Sequence, residues 1–146
     1  MPEQGDKMLP KGVRSRLLKA AAEARRHAYA PYSGYRVGAA LLTEKGHVLS
    51  GCNVENASYG LTLCAEQVAV GAALAREGPE MRIRALAVVS RPGIPSPPCG
   101  ACRQVILEFG EEAVVIFPGP DGLTEARARE LLPLGFRLPE NGGVKD

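Results

Sequence analysis

Ala85-Leu86-Ala87-Val88-Val89-Ser90 is a short apolar run of the kind that forms a buried strand. The next eight residues, 91–98, hold four prolines and a glycine and read as a loop. Cys99 to Phe109 then has a helical pattern, with Val105, Ile106 and Phe109 available for a core face. Ala113 to Phe117 is a second β-branched run. A strand, a helix and a strand in succession place the chain among α/β proteins.

Outward from this stretch the alternation continues. Val37 to Thr43 and His47 to Val54 flank Glu44-Lys45-Gly46, and Gly46 suits a left-handed turn position, so the pair reads as a β-hairpin. Gly38, Ala39 and Ala40 are poor strand formers, and their small size predicts that other backbone or a ligand passes close by. Val13 to Ala28 is an amphipathic helix by spacing, with Leu17, Leu18, Ala21, Ala24 and Ala28 on one side, and it ends before Pro31. Asn53 to Leu63 is a polar loop, and Cys64 to about Ala75 is an Ala-rich helix ending near Gly78-Pro79.

Past Phe117, Pro118 to Gly122 reads as a turn, and Thr124 as the cap of a short helix from Glu125 to Leu132, broken by Pro133. The expected architecture is a three-layer α/β/α domain with a mixed sheet of about five strands. The fifth strand is weakly signalled, near Leu123 or the C-terminus. One domain spans residues 1–146, with 1–10 and 138–146 expected as loose ends.

Composition narrows the function classes. A chain of 146 residues with 45% apolar and 23% charged residues can bury a real core. Its net charge of +2 is too small for a polyanion-binding surface. The basic cluster Arg14, Arg16, Lys19, Arg25 and Arg26 is interrupted by Glu23 and reads as a solvated helix face, so no nucleic-acid partner is expected. No run of about 18 apolar residues occurs, so no membrane span is expected. No signal-peptide core follows Met1, which predicts a cytoplasmic protein whose four cysteines are reduced thiols.

Reduced thiols direct attention to metal binding or catalysis. Cys99 and Cys102 are three positions apart, so both can face one ion from the first turn of a helix. Cys64 adds a third thiol 35 positions upstream, with Glu66 two residues beyond it. Three thiolates leave a fourth tetrahedral position for water, and a Glu that is not a ligand can move protons to and from that water. A C-x-x-C pair can also be a redox couple or half of a structural zinc site. A structural site needs a fourth protein ligand, and the candidates are weak. His27 and His47 are expected to be exposed, and Cys52 to be a small buried residue.

The order Cys64-Ala65-Glu66, then Pro98-Cys99-x-x-Cys102, follows a zinc deaminase pattern. Tyr29-Ala30-Pro31-Tyr32-Ser33, Val37-Gly38-Ala39-Ala40, Gly51 through Asn56, Pro98 through Gln104 and Glu130-Leu131-Leu132-Pro133 extend the likeness. Over roughly residues 28–136 the chain resembles the cytidine deaminases of the small homotetrameric type. The resemblance implies one Zn²⁺ per subunit on Cys64, Cys99 and Cys102, with Glu66 carrying the proton from water to N3 of the base. It implies conversion of cytidine and deoxycytidine to uridine and deoxyuridine in pyrimidine salvage. It also implies substrate contacts from Asn53, Val54, Glu55 and Asn56 on the sugar side, from Ala65 beside the metal, and from the aromatic Tyr35. Tyr59 and Phe136 correspond to aromatics that reach a site from neighbouring subunits, so a homotetramer with shared sites is expected.

The sequence departs from the family pattern at Gln67, where many members have Arg. Three thiolates and Zn²⁺ sum to one negative charge, which a nearby Arg would partly offset. Gln67 brings no charge but can donate a hydrogen bond to a thiolate sulfur, and helix N-termini can supply partial positive charge. Related blasticidin S deaminases, polynucleotide deaminases and a non-catalytic zinc-stabilised module are the competing functions. The Asn53-x-Glu55-Asn56 loop favours cytidine over blasticidin S, the net charge of +2 disfavours a polynucleotide, and the non-catalytic module calls for a fourth protein ligand.

Overall fold

The computed structural model describes residues 9–139. Helix α1 (Lys11–Arg25) is followed by strands β1 (Gly38–Thr43) and β2 (Val48–Cys52), a 3₁₀ turn (Tyr59–Leu61) and helix α2 (Ala65–Glu77). Strand β3 (Ile83–Val89), helix α3 (Gly100–Phe109), strands β4 (Val114–Gly119) and β5 (Gly122–Arg127), and the single turn α4 (Ala128–Leu131) complete the order. The five strands form one mixed sheet in the order β2-β1-β3-β4-β5. Its one parallel pair, β3 with β4, is joined through α3; the other neighbours are antiparallel.

Alternation along the central strands sorts side chains onto two faces. Ala40, Leu42, Ala85, Ala87, Val114 and Ile116 meet Leu17 and Ala21 of α1 on one face. Ala39, Leu41, Leu86, Val88, Val115 and Phe117 meet Ala65, Ala69 and Ile106 of α2 and α3 on the other. The result is the expected three-layer α/β/α arrangement. Full burial on both faces explains why these strands read as continuous apolar runs.

The small residues of the hairpin have the predicted cause. A Cβ on Gly38 would stand 2.0 Å from the carbonyl oxygen of Ala21, so α1 lies directly on β1. A Cβ on Gly51 would lie 2.6 Å from Ala69 N and 2.8 Å from Ala65 O. Gly51 thereby lets the N-terminal half of α2, which carries the chemistry, rest on β2. Gly46 takes the left-handed turn conformation, at φ 97°.

Three expectations are corrected. The helix predicted from Glu125 is strand β5 up to Arg127, paired with β4 from Val114↔Arg127 to Gly119↔Gly122, and only Ala128–Leu131 is helical. Pairing along β4 outweighs the helix propensity of Glu125, Ala126 and Arg127, and Glu125 is drawn into an ion pair with Arg14 of α1. Thr124 accordingly caps no helix; its hydroxyl donates to Gly122 O at 3.3 Å. The second correction is at Leu9, which sits in the stretch expected to be a loose end yet is 2% exposed and packs under α1. Residues 1–8 and 140–146 lie outside the described residues.

His47 is the third correction. It is half-buried rather than exposed, with Nδ1 2.6 Å from Glu77 Oε2, which also accepts from Thr43 Oγ1 at 2.6 Å. This network ties the C-terminal end of α2 to the β1–β2 turn.

Candidate active site

Cys64 is the N-cap of α2, Cys99 is the N-cap of α3, and Cys102 lies in the first turn of α3. Prolines 97 and 98 keep the chain extended up to Cys99, because a residue before proline avoids helical dihedrals. The helix then begins at once, with Arg103 N bonding back to Cys99 O at 2.9 Å. Two helix N-termini therefore converge on three thiols, and their partial positive charge offsets part of the thiolate charge.

The three sulfurs lie within 4.8 Å of one another, with Cys64 Sγ 4.0 Å from Cys99 Sγ. Thiolates about 2.3 Å from a tetrahedral zinc stand about 3.8 Å apart, so the donor set fits that ion. Cys52 is half-buried at the end of β2 and lies outside this cluster, as do both histidines; His27 is exposed. Among the described residues, then, the cluster supplies three ligands and not four.

The thiols polarise one another. A hydrogen bond from Cys102 holds the Cys64 thiol down at about 7, against burial and the charge of Glu66. Cys102, donating that proton and buried beside negative neighbours, is pushed up. Gln67 Nε2 donates to Cys102 Sγ at 3.7 Å, the hydrogen bond its sequence position predicted. Arg103 faces elsewhere: its guanidinium donates to Pro98 O at 2.7 Å and Leu131 O at 2.9 Å, clamping the proline loop to α4.

Glu66, in the first turn of α2, is 4% exposed, and burial raises its pKa above the usual carboxylate range. It faces a cavity of about 280 Å³ together with Cys64, Ala65, Cys99, Asn53 and Glu55. A buried carboxyl beside three thiols placed to hold a metal is suited to taking and giving protons.

At the other end of the cavity the side chains are set by irregular backbone. Asn53, 8% exposed, donates from Nδ2 to Tyr35 O at 2.8 Å and accepts from Val37 N at 2.8 Å. It fastens the approach to β1 and keeps one N–H and one lone pair for a ligand. Glu55 Oε1 accepts from Tyr32 N at 2.9 Å and Ser33 N at 3.2 Å, and Oε2 from the Ser33 hydroxyl. The Ser33 hydroxyl foremost, then the two amides, hold its pKa below the usual range despite burial. Val54 bridges to Tyr29 and Leu63 through its backbone and leaves its side chain part-exposed. Asn56 accepts from Ser58 N at 2.8 Å and lines a neighbouring shallow cleft with Tyr59.

Tyr59 packs edge-on against Tyr32, with centroids 6.1 Å apart, and is 76% exposed. Phe136 is 68% exposed and not in the core; the Gln104 side chain holds its backbone, donating to Phe136 O at 2.9 Å. Neither aromatic lines the cavity of its own chain. Sequence reasoning assigned no role to Ser33 or Gln104, although both lie in blocks that carry the resemblance, and it missed Ser96 altogether, because a serine in a proline-rich loop reads as an ordinary turn former.

Three thiols clustered at two helix starts, with a buried carboxyl facing the pocket that two of them line, define an α/β protein with a zinc-type donor set. The zinc-binding region of cytidine and deoxycytidylate deaminases matches residues 12–117. A cytidine deaminase of Halalkalibacterium halodurans is 46% identical over 125 residues, 84% of this chain and 93% of that one. The crystal structure of cytidine deaminase from Burkholderia pseudomallei superposes with a TM-score of 0.76 at 46% identity, covering 84% of this chain and 98% of the other. That from Mycobacterium tuberculosis gives 0.76 at 45% identity, over 86% and 98%. The chain belongs to the cytidine and deoxycytidylate deaminase family, whose zinc the three thiols are placed to hold.

Proposed function

We propose that this chain hydrolyses cytidine and deoxycytidine to uridine and deoxyuridine, releasing ammonia. The observation that carries the reading is the shared cavity. It brings buried Glu66 and two of the three thiols together with the polar pair Asn53 and Glu55. Cys64, Cys99 and Cys102 would hold the zinc, which would supply the Lewis acidity that makes a water nucleophilic near neutral pH. Glu66 accepts the proton that this water gives up and delivers it to N3 of the base. As the C4–N4 bond breaks, the same carboxylate takes the remaining proton from the new C4 hydroxyl and gives it to the departing amine, which leaves C4 as a carbonyl. Water supplies the oxygen and ammonia leaves, so atoms balance without a further reactant.

Asn53 and Glu55 bind the sugar hydroxyls, the first with its spare donor and acceptor, the second as a carboxylate kept ionised by Ser33. Val54 and Asn56 shape the loop around them, Ala65 floors the cavity, and Tyr35 walls it. Exposed Tyr59 and Phe136, with Leu61 at 65%, complete sites of neighbouring copies in a homotetramer. The place of that reaction is pyrimidine salvage in the cytoplasm; no helix among the described residues is long and apolar enough to cross a membrane.

The test is loss of cytidine absorbance with and without a strong chelator. Turnover that chelation abolishes and zinc restores is expected. Activity on blasticidin S without activity on cytidine would assign the other deaminase class, and activity on neither would leave a zinc-stabilised module.

A further inference from the structure

Ser96 lies in the proline-rich loop that leads to Cys99, and it is 6% exposed. Its amide donates to Pro118 O of β4 at 2.8 Å, which pins the loop to the sheet. Its hydroxyl meets three groups: Ile94 O at 3.1 Å, the Tyr35 phenol oxygen at 3.3 Å, and the hydroxyl of Ser90, itself buried just past β3. A hydroxyl has one proton and two lone pairs. The carbonyl of Ile94 can only accept, so Ser96 gives it the proton and accepts from Tyr35 and Ser90. All three capacities of the Ser96 oxygen are then used.

Tyr35 is held at two further points. Its amide donates to Ser33 Oγ at 3.0 Å, and its carbonyl accepts from Asn53 at 2.8 Å. Ser33 in turn donates to Glu55. The chain of bonds Glu55–Ser33–Tyr35–Ser96–Ser90 thus runs along the cavity from the sugar-side loop to the thiol-bearing loop. Tyr35 is its central member and the only one with a ring to offer the base.

We propose that Ser96 is a positioning residue: its hydroxyl anchors the Tyr35 phenol and so fixes that ring as the wall of the nucleoside cavity. The proposal rests on the cytidine reading above and adds a residue to it that none of the motifs contains. Without the anchor the ring is free to rotate about its side-chain bonds, and substrate binding must then pay to order it. The thiols and Glu66 stay where α2 and α3 hold them, so the loss falls on binding and not on chemistry.

The experiment compares Tyr35→Phe, Ser96→Ala, Ser96→Thr and the Tyr35→Phe/Ser96→Ala double variant as zinc-loaded protein. Steady-state cytidine kinetics and amide hydrogen exchange of residues 33–37 are measured for each. Tyr35→Phe and Ser96→Ala are expected to raise KM by about three- to tenfold, the range of one net hydrogen bond, with kcat within about twofold. The double variant should be no worse than Ser96→Ala alone, since Tyr35→Phe removes a bond that Ser96→Ala has already removed. Ser96→Thr should restore the parent KM, and Ser96→Ala should speed exchange at residues 33–37. An unchanged KM in Ser96→Ala with a fully active parent would overturn the anchor, and so would effects that add in the double variant. A parent inactive on cytidine would overturn the functional reading instead; unchanged exchange in Ser96→Ala would then overturn the anchor separately.

Discussion

At the thiol end of the cavity, each functional side chain leaves the start of a helix that lies flat on the sheet. Cys64 caps α2, Glu66 follows in its first turn, and Cys99 and Cys102 open α3. At the loop end, Asn53, Glu55 and Tyr35 sit on irregular backbone held by individual hydrogen bonds. Helix starts are fixed by packing over many residues, whereas a single hydrogen bond contributes about 0.5–1.5 kcal/mol net. Substitutions at the thiol end should therefore act all-or-none on chemistry, and those at the loop end should act by degrees on binding. The loop end is also where the exposed aromatics Tyr32 and Tyr59 pack together.

The largest expected effect is at Glu66. Glu66→Gln should keep its zinc, since the thiols are untouched, and lose turnover by about 10²–10⁴-fold, the usual range for a general acid–base group. Metal content by elemental analysis and single-turnover kinetics check this. Substantial activity in the variant would move proton transfer to another residue.

Next is Gly51, which supports the thiol end from below. A methyl group there collides with α2 backbone at 2.6 and 2.8 Å, so Gly51→Ala should destabilise the fold by about 1–3 kcal/mol. Because the displaced segment carries Cys64 and Glu66, kcat should fall as well. Denaturant midpoints and kinetics read the two effects separately; stability lost with kcat intact would show that the helix start tolerates displacement.

Gln67 tests whether the thiol end also relies on single hydrogen bonds. Its 3.7 Å contact to Cys102 Sγ is an outer-shell bond of the kind whose loss costs about 10–100-fold in metal affinity. The neutral donor and the soft acceptor place Gln67→Ala near the low end, measured as faster zinc transfer to a chelator. Transfer at the parent rate would leave the helix N-termini as the sole support of the thiolates.

The smallest effect lies away from both ends, at the far terminus of α2. Glu77 has its pKa lowered chiefly by the Thr43 hydroxyl and further by His47, against burial. A lowered native pKa stabilises the fold above the unfolded value of about 4.5, and that contribution disappears as pH falls through the native value. Glu77→Gln should therefore lower Tm at neutral pH, and the gap to the parent should narrow below about pH 4.5. KM for cytidine should not move. A gap that persists at low pH would assign the effect to packing.

The same division governs what could be read from the chain. Strands β1, β3 and β4 were legible because burial on two faces leaves continuous apolar runs. The thiols were legible because a metal demands fixed spacing at helix starts. Strand β5 was not, since Glu125, Ala126 and Arg127 are helix formers in isolation and become strand only by pairing with β4. Leu9 was hidden at the end of a tail of mixed charge, Gly and Pro, and His47 by its place at a turn, because their partners lie far off in sequence. The Ser33, Ser96 and Gln104 contacts were illegible for the same reason: they join loops that only the finished fold brings together.

The account stands on an open metal position beside Glu66, and X-ray absorption at the zinc edge of the loaded protein addresses it directly. Three sulfurs and one oxygen or nitrogen around the metal are expected, with the sulfurs at about 2.3 Å. Four sulfurs, with Cys52 drawn in as the fourth, would contradict it and make the site structural.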